Sequence, residues 1–86
     1  MPRVSEFYGI VIAIFYNDHL PPHFHARYGG AGAAIGIQTL EILSGSLPLR
    51  ALGLVREWAA EHRVALMRDW GLARAALPLD PIPPLS

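Results

Sequence analysis

Phe7-Tyr-Gly-Ile-Val-Ile-Ala-Ile-Phe-Tyr16 is an unbroken apolar run, dense in β-branched and aromatic residues, that closes on Asn17-Asp18. It predicts a strand. One face carries Tyr8, Ile10, Ile12, Ile14 and Tyr16, and the other Gly9, Val11, Ala13 and Phe15. Neither face is polar, which predicts cover on both sides. Asn17 to Pro22 reads as a turn, since Asn and Asp tolerate turn geometry and the paired prolines remove two backbone donors. His23 to Tyr28 then alternates with a period of two: His23, His25 and Arg27 point one way, Phe24, Ala26 and Tyr28 the other. Gly29 to Gly32 predicts a hairpin turn. Ala33 to Gln38 predicts a third strand, and Glu41 to Leu43 a short fourth that ends at Ser44-Gly45.

Beyond Ser46 the period lengthens. Ser46 reads as an N-cap, with Pro48 in the first turn. Leu52, Val55, Ala59, Leu66, Trp70 and Ala73 follow at helical spacing, with His62 on the same stripe and four residues after Trp58, where the two rings would stack. Arg56, Glu57, Glu61 and Arg63 lie on other faces and predict a solvated surface of ion pairs. One long helix to about Arg74 is predicted, with a break near Glu61 to Val64 as the alternative. Four prolines within Leu77 to Ser86 exclude a helix there and predict an extended tail, loose or laid along a groove.

The fold class is therefore α+β: a three- to four-stranded antiparallel sheet followed by one long C-terminal helix packed across it, ending in a proline-rich tail. Residues 1–77 form the expected single domain and 78–86 the tail. A chain of 86 residues buries a small core, and without cysteines no disulfide or thiolate metal site reinforces it. Hydrophobic residues nevertheless make up 52% and the mean hydropathy is +0.31, so cover by a second chain is expected, as a homodimer through the Phe7–Tyr16 sheet. A formal net charge of +0 supplies no basic field for coating nucleic acid, although a small RNA site stays open. All seven basic residues are arginines, an imbalance that a GC-rich genome explains. The start Met1 to Glu6 is too short and mixed for a signal peptide, and ten apolar residues cannot span a bilayer, which needs about 20. Cytoplasmic residence without membrane contact is expected.

Three of the four histidines fall in Asp18-His19-Leu20-Pro21-Pro22-His23-Phe24-His25. His23 and His25 share a strand face, and the proline turn can fold His19 back toward them. Three converging imidazoles are a known ligand set for a divalent metal such as zinc, with Asp18 ligating or orienting a ring. No cofactor is compelled. Without metal, His23 and His25 could serve as general acid and base in phosphodiester cleavage, with Asp18 and His19 orienting them and Arg27 holding phosphate. Tyr8 or Tyr16 could add a hydrogen bond from the neighbouring strand. All these histidines could equally be structural, leaving a protein-interaction module.

Phe7-Tyr-Gly-Ile-Val-Ile, Tyr16-Asn-Asp-His-Leu-Pro-Pro-His-Phe-His-Ala26, Gly45-Ser-Leu-Pro48 and Trp58-Ala-Ala-Glu-His62 resemble a bacterial family catalogued as domain of unknown function 4160, over about Ser5 to Pro78. Its motif residues fall on Asp18, His19, Pro21, Pro22, His23 and His25. Other members tend to carry a Thr-Gly turn and an acidic residue near the third strand, where this chain has Thr39-Leu40 and Gly36. The resemblance implies a small prokaryotic protein without an assigned activity. Such proteins are often encoded beside a second small one, of the family of unknown function 2442. By analogy with paired short genes it implies a toxin–antitoxin-like pair, the chain being an RNA-cleaving toxin or nucleic-acid-associated regulator that binds its neighbour.

Overall fold

The structure, a computed structural model, describes residues 2–86. It is α+β as expected, with more elements than predicted: β1 (Arg3–Phe7), β2 (Ile10–Ala13), β3 (His23–Tyr28), β4 (Ala31–Gly36), β5 (Ile42–Ser46), α1 (Leu49–Glu61) and α2 (Arg63–Arg74). The strands form one antiparallel meander in the order β1-β2-β3-β4-β5.

The three or four predicted strands become five because the first apolar run does not stay extended. Tyr8 (φ 50) and Gly9 (φ 78) both adopt the left-handed region, the signature of a two-residue hairpin turn, and Phe7 pairs with Ile10 across it. The segment ahead of Phe7, to which the sequence pattern assigned no element, supplies most of β1. Ile10, Ile12 and Ile14 are buried as their alternation predicted, whereas Tyr8 and Tyr16 are exposed. Within the chain, cover comes from one side. Helices lie on the face of Ile10 and Ile12, while Val11 and Phe15, half-buried, line the uncovered face.

Strand β3 matches its predicted limits, and Gly29-Gly30 makes the turn to β4 with Tyr28 opposite Ala31. Strand β4 begins and ends two residues earlier than predicted. Its exit turn places Leu40 at φ 62, in the left-handed region that glycine favours, with its side chain buried. Gly45, read as a terminator, lies inside β5 at φ +76, beside a register shift between Ala34 and Ile35. A Cβ there would overlap the Gly32 carbonyl oxygen and lie 3.1 Å from Ala33 Cα.

The single long helix is replaced by its alternative. His62 leaves helical geometry (φ −126, ψ 24): its N–H reaches back three residues to Ala59 O at 3.1 Å, and its own carbonyl accepts from Leu66 N–H at 2.9 Å to open α2. Each helix keeps its own apolar stripe, Ala51, Leu52, Val55, Trp58 and Ala59 on α1 and Leu66, Trp70 and Ala73 on α2. Ser46 is not the N-cap, being the last residue of β5. Pro48 takes that position and its carbonyl receives the first helical bond from Leu52 N–H at 2.9 Å. The predicted ion-pair face does not form among the described residues. Arg56 instead donates through Nε to Leu40 O at 3.0 Å.

The tail is laid down rather than loose. Ile82 donates to Val4 O at 2.7 Å along the outer edge of β1, and its side chain joins the core. Trp58 Nε1 donates to Pro83 O at 2.8 Å, and Tyr16 Oη to Leu77 O at 3.1 Å. Asp69, 1% exposed, accepts from Asp80 N–H through Oδ1 at 2.9 Å while its Oδ2 is buried without a partner. Burial raises the Asp69 carboxyl above its ordinary value. The Asp80 N–H bond opposes the shift, the Asp80 charge adds to it, and Arg68 opposes it.

Two variants test this account. Gly45→Ala should lose about 2–4 kcal/mol in urea unfolding, from positive-φ strain and the backbone overlap. Asp69→Asn should gain stability at pH 7, because it keeps the Oδ1 acceptor and removes a buried charge. A carboxyl raised on folding contributes fully below its unfolded value and loses that contribution as pH rises through the folded one. The advantage of Asp69→Asn should therefore shrink as pH falls through the raised folded value and be gone by about pH 4.

Candidate metal centre

The register of the sheet places the histidines. Ala13 opposes His25 and His25 opposes Ala34, so His25 stands on the uncovered face between two small neighbours. Phe24, one residue earlier, points into the core against Trp58. His23, at the start of β3, lies under α2 with its ring 5.2 Å from that of Trp70, and is 3% exposed. Between β2 and β3 the chain turns through Asn17 (φ 58) and a cis Leu20-Pro21 bond. Ile37 N–H donates to Pro22 O at 3.0 Å and fixes the loop to the end of β4.

This loop carries Asp18 over both rings. Its Oδ2 accepts from His23 Nε2 at 2.9 Å and from His25 Nε2 at 3.1 Å, and its Oδ1 accepts from the His19 N–H at 2.9 Å. On the far side of its ring, His23 donates through Nδ1 to Pro21 O at 2.7 Å. The His25 ring, with the side chain 32% exposed, packs on Phe15 at 4.3 Å and edge-on to His23 at 5.1 Å.

One ligand atom from each of Asp18, His23 and His25 lies within 4.8 Å of the other two. Two imidazoles and a carboxylate are donors for zinc and related divalent metals. A metal-ligating histidine typically donates its other N–H to a backbone carbonyl or carboxylate. His23 already has that bond, to Pro21.

The predicted residues therefore separate. Asp18, His23 and His25 come together. His19, whose side chain is 86% exposed, turns outward: its Nε2 is 3.8 Å from Asp18 Oδ1 and its Nδ1 donates to Leu20 O at 3.2 Å. Arg27 lies one pleat beyond His25 on the uncovered face, with no ion pair among the described residues. Tyr16 bonds to the tail and Tyr8 lies in the first hairpin turn, so neither reaches the cluster. His62 stacks on Trp58 at 5.4 Å, as its spacing predicted. Sequence reasoning missed a cavity of about 230 Å³ on the open sheet face, lined by Ala13, Phe15, His25, Arg27, Gly32 and Ala34 among others. Its signal was the row of small residues at alternate positions facing His25 and Arg27.

The family described as Domain of unknown function (DUF4160) matches residues 9–71. The chain belongs to that family. The matched span of this DUF4160 domain includes the whole Asp18–His25 cluster and ends within α2. No curated protein and no solved structure gives a significant match. No helix of the DUF4160 chain, among the described residues, is long and apolar enough to cross a membrane.

Burial pushes the Asp18 carboxyl up, but the His25 hydrogen bond, the His19 N–H and the charge and hydrogen bond of His23 together hold it below its ordinary value. Ionised Asp18 therefore stabilises the metal-free fold. That contribution is complete above the unfolded value, about pH 4, and is lost as pH falls through the folded one. In chelator-treated protein, Asp18→Asn should lose less stability than wild type between about pH 4 and pH 2, measured by urea midpoints.

Proposed function

We propose that this DUF4160 protein is a divalent-metal-binding domain whose ligands are Asp18 Oδ2, His23 Nε2 and His25 Nε2. The observation that carries the reading is the His23 Nδ1 bond to Pro21 O, which fixes the tautomer and leaves Nε2 facing the other two donors. The His19 N–H on Asp18 Oδ1 orients the carboxylate in the same way. Three protein donors leave at least one coordination position for water or a bound molecule, the arrangement of catalytic rather than structural zinc. A metal held there would act as a Lewis acid and lower the pKa of its bound water. His25, the more exposed imidazole, would face that open position.

His19 is not needed as a ligand in this reading. A metal-free acid–base pair is less well supported, because His23 is nearly inaccessible and Asp18 takes up the Nε2 of both rings. No observation supports a toxin–antitoxin pairing or RNA cleavage.

Native mass spectrometry of untagged protein with one equivalent of zinc tests the proposal. About one zinc per chain is expected, released by acidification as the imidazoles take up protons. It should be lost in Asp18→Ala and in His25→Ala, whose folding is checked by circular dichroism. A metal-free mass for wild type, or full occupancy in both folded variants, would overturn the assignment.

A further inference from the structure

The sheet face left uncovered by the helices holds a cavity of about 230 Å³. Its floor is bare because the partners of two long side chains are small. Ala13 and Ala34 flank His25, and Val11 and Gly32 flank Arg27. His25 and Arg27 follow each other on one strand face, about 6.5–7 Å apart along it. No acceptor within the protein takes up the Arg27 guanidinium among the described residues. The acid nearest in the ladder is already committed: Glu6, opposite Val11, accepts from Arg3 at 3.1 Å.

We propose that this groove is an oxyanion subsite, in which Arg27 binds the phosphate or carboxylate group of a molecule whose other end reaches the metal beside His25. The inference rests on the metal-binding reading above. A divalent ion and Asp18⁻ leave one net positive charge at the triad, and Arg27 adds a second at the far side of a small cavity. That charge pattern selects an anion, and a guanidinium offers paired donors to two oxygens of a phosphate or carboxylate. His25 is the wall that the triad and the groove share: its Nε2 bonds Asp18 Oδ2, and the residue lines the groove.

The test is an amide-shift titration of ¹⁵N-labelled, zinc-loaded protein with methyl phosphate and, separately, acetate, with zinc occupancy followed by native mass spectrometry. The amides of Gly32 and Ala34 should shift and saturate in the millimolar range. Arg27→Ala should still take up one zinc but bind the anion about tenfold more weakly or worse, with part of the affinity restored in Arg27→Lys. Saturation by methyl phosphate alone assigns a phosphoryl ligand, and saturation by both assigns the wider oxyanion class. Unmoved amides with either anion, or an Arg27→Ala titration like that of wild type, would overturn the subsite and leave the metal assignment standing. If wild type takes up no zinc, the same titration on metal-free protein decides the question. Shifts abolished by Arg27→Ala retain the anion site without the metal, and unmoved amides overturn it.

Discussion

The buried indole of Trp58 is the contact that joins every layer of this domain. Its ring meets Phe7 of β1 at 5.3 Å, Phe24 of β3 at 6.0 Å and His62 at the helix junction at 5.4 Å, while its N–H holds Pro83 of the tail. Sheet, helix pair and tail thus converge on one side chain that is both large and polar at one edge. In a chain this short the margin of stability is thin, of the order of 5–15 kcal/mol for a typical domain. Removing a buried tryptophan typically costs about 3–5 kcal/mol, a large share of that margin.

The Asp18–His23–His25 cluster inherits its geometry from this packing. Phe24 is drawn into the core by Trp58, and the pleat then sends His25 to the opposite face. His23, at the strand start, falls under Trp70, itself covered by the Arg74 guanidinium at 5.9 Å from the ring. Two imidazoles two residues apart consequently meet different surroundings, one enclosed beneath a helix and one lining an open groove. Asp18 bridges them from a loop held at both ends, by Ile14 N–H on Pro2 O and Ile37 N–H on Pro22 O.

What was legible in the sequence follows the strength of each local signal. His23 to Tyr28 alternates cleanly between Gly/Pro-rich flanks, and β3 has those limits. The first hairpin was hidden because its turn uses Tyr8, a strand-forming residue seldom found at positive φ, inside a continuous apolar run. Gly45 read as a stop because glycine usually punctuates. Here it serves a close crossing of β4 that only the paired strands reveal. His62 carries no breaker residue, so nothing in its identity marked the end of α1. The histidine cluster was visible from spacing alone, but its membership was not. The orientation of one turn puts Asp18 at the centre and His19 outside, and spacing cannot encode that. The groove was the least legible part, since it consists of side chains that are missing rather than present.

The order of the strands has a consequence for how the chain assembles. Every strand pairs with its neighbour in sequence, so the sheet can grow one hairpin at a time with short loops to close, a topology of low contact order that favours rapid folding. The strap from Leu77 onward makes the longest closure, because Ile82 must meet Val4 at the opposite end of the chain. That closure has no surface to dock on until β1, Trp58 and Asp69 are in place. The strap is therefore the natural last step of assembly and the natural first to release, a latch on a sheet that forms without it.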